Sequence, residues 1–591
     1  MGSKHDLSLS GPGPVKAVTE SQICLFCHTP HNANPAAPLW SHTLSSQTYT
    51  LYTAETLQGT TGQPDGTSKL CLSCHDGTVA LGSLGNPAFR TIAMSGTAPD
   101  GTMPAGTSDL GTDLANDHPV SIMVNLTDPE IVTPLAGDPV QLYANKVQCT
   151  SCHDPHDPQY GAVAGGPGKF LVKANDDGIY GSQLCLSCHN KAGWSSSAHR
   201  NATDLYNGRL GNLAVSRYAC EACHRPHTAA RPVWLREGSS EEGGCLVCHG
   251  SAGPGDNVSA IGTGSYGHQV DNYSNVHKPV GDGTGGTEPA LLNNTHVECT
   301  DCHQPHRTQV QPGQGTRSMG TNQVDATHGQ SLSGMKVRRV TYGTGAWVPP
   351  TFGLLSDVAY EYEVCLRCHS TGSAAFTAGS ERGSLDVYFN PNNQAHHAVV
   401  APGKIQKTQM NNTFVSGSGL TISSTIYCSD CHDPHSTNRW LLKQSSVADA
   451  NGNRFVCYNC HRVDVYGPGA RNASLGAWTD HAKAAHHNPS NFIPPAWWPT
   501  ELRNFSCLWC HGDFGSTKDG SYEPGGIHGA NRGSTTYSKV DSGIHFLNGV
   551  AIEWRDNGGT SRTCGDYWTG SVGCNHHDGT SPPSVNYTAN W

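Results

Sequence analysis

Apolar residues along this chain come in short clusters separated by Gly, Pro, Ser and Thr. Runs such as Phe170-Leu171-Val172, Trp234-Leu235 and Trp440-Leu441-Leu442 are long enough only for short strands. No stretch of about 18 consecutive apolar residues occurs, so no segment is expected to cross a bilayer as a helix. The pattern predicts coil and turn with short helices and a few short strands.

Composition sharpens this picture. Leu, Ile, Val and Phe number about 100 of 591 residues, roughly 17%, below the ~20% at which a chain fails to build a core from its own side chains. Charged residues make up only 14% of the chain, so it does not have the composition of a highly charged disordered segment. Gly (69) and Pro (36) work against long helices and broad sheets. Something other than side chains must supply the core. A net charge of −11 offers no basic surface and counts against nucleic acid as a partner.

The cysteines say what that something is. Of 24 cysteines, 22 fall into eleven copies of Cys-x-x-Cys-His. The pairs are Cys24 and Cys27, Cys71 and Cys74, Cys149 and Cys152, Cys185 and Cys188, Cys220 and Cys223, and Cys245 and Cys248. They continue with Cys299 and Cys302, Cys365 and Cys368, Cys428 and Cys431, Cys457 and Cys460, and Cys507 and Cys510. One copy could be a zinc site or a redox pair. Eleven copies, each followed by His, read as c-type haem attachment, in which two thiols add to the two vinyl groups of one porphyrin. The adjacent His then becomes an axial ligand. These proximal histidines are His28, His75, His153, His189, His224, His249, His303, His369, His432, His461 and His511. Eleven haem c groups per chain would provide the missing apolar mass. The expected fold is therefore mostly coil and turn wrapped around covalently bound haems. Such attachment takes place outside the bacterial cytoplasm, so secretion after removal of a signal peptide is expected; no apolar leader precedes Cys24 in this numbering. In that oxidising setting the two remaining cysteines, Cys564 and Cys574, are expected to form a disulfide closing a small β-rich segment.

Of 33 histidines, 22 lie outside the eleven motifs. Five recur in Cys-x-x-Cys-His-x-Pro-His: His31, His156, His227, His306 and His435. Each stands too close to its own proximal His to reach the far face of the same haem, and Pro stiffens the turn that aims it elsewhere. The extension marks motifs one, three, five, seven and nine and is missing from the even ones, so the chain reads as five haem pairs and an eleventh haem, a modular repeat. The expectation is that each Pro-His histidine ligates the second haem of its own pair. The first haem of each pair would then draw a His from the preceding linker: His5, His118, His199, His277 (with His268 and His296 competing), and His396 or His397. His481, His486 or His487 would serve the last haem. His42, His328, His528, His545, His576 and His577 read as ordinary polar residues. The expected segmentation is 1–140 for haems one and two, 141–290 for haems three to six, 291–514 for haems seven to eleven, and 515–591 free of haem.

Several runs resemble a known group. Lys4-His5-Asp6-Leu7-Ser8, Cys24-Leu-Phe-Cys-His-Thr-Pro-His31, Cys71-Leu-Ser-Cys-His-Asp-Gly-Thr-Val79 and Asn116-Asp-His-Pro-Val-Ser121 look like doubled-CxxCH multihaem cytochromes of metal-reducing bacteria. Some of these, the OmcS and OmcE type, polymerise outside the cell with a continuous haem chain. The resemblance implies closely stacked bis-His haems in a mostly coil fold. It also implies homopolymers joined by haem contact, other cytochromes and external electron acceptors as partners, and a His after the first motif given to an adjacent subunit. His31 holds that position. Eleven haems exceed the number in those filaments, and the tail from about 515 has no counterpart. The chain is expected to transfer electrons and not to act as an enzyme. The alternatives are a multihaem reductase, which needs one open iron, and a non-polymeric periplasmic or outer-membrane-associated cytochrome.

Overall fold

The computed structural model describes residues 2–261, apart from 34–36, 38, 55–56, 86–90, 162–167, 209–210 and 231–240. It further describes residues 268, 270 and 297–310, and 329–436 apart from 346–347, 374–382, 394 and 403–424. Beyond these, it gives the backbone of 529–530, 552–556 and 562–566. Two units are distinguished: Met1–Ser259 with Pro305–Arg307, and Ala260–Gln304 with Thr308–Trp591. No helix among the described residues is long and apolar enough to cross a membrane.

Regular structure is sparse and local. The described strands form antiparallel two-stranded ladders. They pair Lys16–Ala17 with Met94–Ser95, Leu205–Gly208 with Gly211–Ala214, and Lys336–Thr341 with Thr351–Asp357. Ala395–His396 pairs with Gly529–Ala530, and Ile552–Asp556 pairs with Arg562–Asp566, the strand that carries Cys564. The run Phe170-Leu171-Val172, expected to be a strand, contributes only isolated bridges from Leu171 to His153 and Tyr160. Phe170 has a φ of 59°, which breaks extended geometry at the start of the run. The runs at Trp234 and Trp440 lie outside the described residues.

Helices sit where the motifs sit. Odd motifs form a single turn: Cys149–Cys152, Cys220–Cys223, Cys299–Cys302 and Cys428–Cys431. A turn this short cannot hold itself, so its ends are fixed by side chains. Ser151 Oγ accepts the Gln148 amide at 3.0 Å, and Asp301 and Asp430 accept those of Glu298 and Tyr427 at 2.9 Å each. Longer helices, Gly66–His75 and Glu241–His249, carry the second and sixth motifs.

Apolar burial is split into small clusters, as expected of a chain short of large aliphatic side chains. Ala17, Phe26, Leu84 and Ile92 form one; Tyr49, Leu72 and Leu114 another. In the second unit Tyr362, Leu366, Phe389 and Val399 cluster, as do Met335, Val337 and Val364. Phe26, Leu72 and Leu366 occupy the variable positions inside their motifs, so the residues between the cysteines anchor each motif to the body of its unit.

Buried polar side chains do comparable work. The Tyr49 hydroxyl donates to Asp76 Oδ2 at 2.7 Å, and Asp76 Oδ1 accepts both the amide and the hydroxyl of Thr78. Burial, followed by smaller effects that include Asp76, pushes the Tyr49 phenol up to about 12. Tyr49→Phe is expected to cost about 1.5 kcal/mol, the scale of a hydrogen bond to a charged acceptor. The check is denaturant unfolding: a lowered midpoint with an unchanged slope.

Candidate functional site

Each motif is built the same way. Cysteines three residues apart fall on one side of a helical turn, and the proximal His amide closes that turn onto the carbonyl of the first cysteine. His153 does so on Cys149 at 3.0 Å, His224 on Cys220 at 2.8 Å, and His303 on Cys299 at 2.9 Å. The same bond recurs at His28, His189, His369 and His432. In the sixth motif Cys245 and Cys248 lie half-buried on the longer helix Glu241–His249. There the chain folds back past the motif, and the Cys248 carbonyl accepts the Gly255 amide at 2.9 Å. The described motif cysteines, from Cys24 and Cys27 through Cys245 and Cys248 to Cys428 and Cys431, form no disulfides. Each motif therefore presents two thiols and one imidazole from a five-residue stretch, the arrangement that covalent attachment of one porphyrin requires.

Opposite each of eight proximal rings stands a second histidine ring. His28 faces His156 with centroids 6.1 Å apart, His153 faces His227 at 6.2 Å, His224 faces His306 at 6.0 Å, and His303 faces His435 at 5.9 Å. His75 faces His5 at 6.1 Å, His189 faces His118 at 6.2 Å, His249 faces His199 at 6.1 Å, and His369 faces His268 at 6.4 Å. Two imidazoles bound to one ion through metal–nitrogen bonds of ~2 Å have ring centres about 6 Å apart. The spacing fits one iron per ring pair, with the thiols beside it for the porphyrin edge.

The rings are also held in the tautomer a metal needs. A metal-binding imidazole commonly donates from its other nitrogen to a carbonyl or carboxylate. Nδ1 of His75 meets the Ser108 carbonyl at 2.6 Å, that of His153 the Lys169 carbonyl at 3.0 Å, and that of His303 the Ser331 carbonyl at 2.9 Å. His227 Nδ1 meets Asp117 Oδ1 at 3.0 Å. Burial, the largest cause, pushes His118, His153 and His306 down to about 4, and the facing imidazole adds to the shift in each case. His5, His189 and His268 are lowered as well, with burial again the main cause. Neutral imidazole is the ligating form.

The pairings correct the expected assignment. Sequence order puts His156, His227, His306 and His435 at the second haem of their own pairs, but each faces the proximal His of the odd motif one pair earlier. It puts linker histidines at first haems, yet His5, His118 and His199 face the even motifs at His75, His189 and His249. His268, the competing linker candidate, faces the even-motif His369. The reason is the Pro-His turn, which reaches back along the chain and serves both haem positions of the preceding pair. Its histidine faces the odd ring, while its proline carbonyl holds the histidine that faces the even ring. Pro155 accepts from His5 Nδ1 at 3.2 Å, Pro305 from His199 Nδ1 at 2.9 Å, and Pro434 from His268 Nδ1 at 3.2 Å. In the remaining case the Pro226 carbonyl accepts the His118 amide at 2.8 Å. Asp154 and Asp433 brace two of the turns by accepting the amides of His156 and His435.

His31 has the same local sequence, is exposed, and faces no proximal ring among the described residues. His396 lies in the short strand paired with Gly529–Ala530, next to His397. His277, His486 and His487 lie outside the described residues, as do Cys457, Cys460, His461, Cys507, Cys510, His511 and Cys574. The side chain of Cys564 is not described either.

Residues 213–254 and 423–465, each spanning an odd and an even motif, match the doubled CXXCH motif family. The first of these stretches runs from before Cys220 to just past Cys248 and His249. No curated protein matches the chain. Repeated motifs of this family mark a multihaem c-type cytochrome, with haem bound covalently through the cysteine pairs and electron transfer as the general activity.

The ring pairing has a direct test. Removing His153 and removing His227 should perturb one and the same haem. His227→Ala should create one high-spin, carbon monoxide-binding haem per chain, and the double variant His153→Ala with His227→Ala should still perturb only one. Magnetic circular dichroism showing two perturbed haems in the double variant would instead place the two histidines on different irons.

Proposed function

We propose that the chain carries eleven haems, all bis-histidine ligated, and that copies of it join end to end into an extracellular filament that passes respiratory electrons to external acceptors. The supporting observation is the backward reach of the Pro-His turns. Four of the five turns bring a histidine to the odd motif of the preceding pair. The first turn has the same x-Pro-His pattern, but its His31 is exposed and faces no proximal ring among the described residues. A second copy of the chain would offer that histidine the iron it is shaped to reach, in the manner of the filament cytochromes that residues 1–125 resemble.

Each bound haem supplies reversible one-electron chemistry at its iron. The chain's part is to place and ligate. Two neutral imidazoles per iron let oxidation state change without ligand change, and Nδ1 hydrogen bonds keep the rings from rotating as it does. Nδ1 bonds to carbonyl or carboxylate groups are made by facing histidines of all three kinds, proximal, linker and Pro-His. With both axial positions taken by histidine, the reading is an electron carrier and not a reductase. The hairpin Ile552–Asp556 with Arg562–Asp566 carries Cys564, in keeping with a small β segment closed by a disulfide between Cys564 and Cys574.

Electron microscopy of the purified protein should show filaments, and His31→Ala should abolish them and convert one haem per subunit to high spin. Normal filaments from the variant with every haem low-spin would remove His31 as the joint. A wild-type protein that stays monomeric at high concentration would overturn the filament.

A further inference from the structure

Successive described motifs approach one another through their cysteines. Between pairs, the first cysteine of an even motif meets the first cysteine of the next odd motif. Cys71 is hydrogen-bonded to Cys149, Cys185 to Cys220, and Cys365 to Cys428. Within pairs the second cysteine of the odd motif lies near both cysteines of the even motif: Cys27 near Cys71 and Cys74, Cys152 near Cys185 and Cys188, and Cys302 near Cys365 and Cys368.

The junctions between pairs share a second feature. A buried hydrogen-bond acceptor, three or four residues before the first even cysteine, takes an amide at the start of the next odd helix. Ser68 Oγ accepts the Cys149 amide at 3.0 Å, and Ser182 Oγ accepts the Cys220 amide at 2.9 Å. Glu361 Oε2 accepts the Ser429 amide at 3.2 Å. Ser68 also donates to Gln148 Oε1 at 2.6 Å, and Thr67 bonds Thr150 at 2.7 Å, so the two helices are tied at three points. Ser182 donates in turn to the Tyr218 carbonyl at 3.3 Å. Glu242 holds the corresponding place before Cys245 and is buried too. Ser68 and Ser182 also hydrogen-bond the thiols of Cys149 and Cys220, so each meets both the amide and the sulfur with which the next odd motif begins.

We propose that Ser68, Ser182 and Glu361 are positioning residues for electron passage, fixing the thioether edge of each even haem against the thioether edge of the odd haem that follows. The inference rests on the haem reading above but not on the filament. When an electron crosses, a ferrous haem is oxidised and its ferric neighbour reduced, with no bond made and no proton moved. The rate therefore depends on the gap and on what fills it. Sulfur against sulfur is the shortest covalent extension of two porphyrins toward one another that these motifs can provide.

The test uses the mature haem protein. A double variant, Ser68→Ala with Ser182→Ala, should keep full haem content by pyridine haemochrome assay and an all-low-spin absorption spectrum. Electron exchange among its haems, followed by pulse radiolysis, should be several-fold slower. Spin coupling between haems in the electron paramagnetic resonance spectrum should weaken in parallel. Ser8→Ala is the control: Ser8 is equally buried, its hydroxyl bonds Asp6 Oδ1 and Ser10 Oγ, neither of them in a motif, and the exchange rate of the variant should match wild type. An unchanged rate in the double variant, or equal slowing in the control, overturns the proposal. If the double variant fails to mature, the wild-type haem protein decides by electron cryomicroscopy. The sulfurs of Cys71 and Cys149, Cys185 and Cys220, and Cys365 and Cys428 should be the shortest links between the haems they join, and closer porphyrin edges there would overturn it. Missing haem in the wild type would instead refute the haem reading itself.

Discussion

Two imidazoles facing each other across about 6 Å, with Nδ1 of both tied back to the chain in the pairs His5 with His75, His153 with His227 and His199 with His249, form the unit on which the described structure depends. Holding a ring in that position needs a carbonyl or carboxylate in the right place, and this chain supplies it mainly from turns. The one-turn helices, the Asx-braced Pro-His turns and the small apolar clusters all serve that placement. A conventional core of aliphatic side chains would leave no room for a porphyrin between the rings, and the sequence does not contain the residues to build one.

Interlocking follows from how the Pro-His turn is used. Because one turn contributes a facing histidine to one motif and a carbonyl anchor for the other, neither site of a pair is complete without the next pair. Stability and ligation are then coupled along the repeat, in the nearest-neighbour manner of other modular arrays. His31, exposed and facing no proximal ring among the described residues, is the one Pro-His histidine outside this scheme.

Placement by buried hydroxyls and carboxylates is the second theme. Ser68 and Glu361 lie on the helices of even motifs and Ser182 just before one, yet their bonds go to the start of the following odd helix. They cap that helix, where orphan amides need acceptors, and in doing so they set the separation of the adjoining cysteines. One interaction thus completes a helix terminus and registers one motif against the next.

The eleven motifs, their odd–even alternation and the shortage of apolar residues are legible in the sequence, because covalent chemistry demands a fixed spacing of Cys, Cys and His. The Pro-His extension is equally legible as a device that sends its histidine to another motif's haem. Which motif it reaches is not. Proximity along the chain points His227 ahead to the motif of Cys245 and Cys248, whereas it faces His153, the proximal histidine two motifs back. The Ser68 and Ser182 bonds are also invisible in the sequence, since a serine three residues before a cysteine carries no signal of its own. Spacing records only the chemistry that a single turn must perform. Partners across tens of residues are decided by where the connecting turns place the backbone, and those directions arise only when the hydrogen bonds of Asp117, Pro155, Pro305 and Pro434 are made.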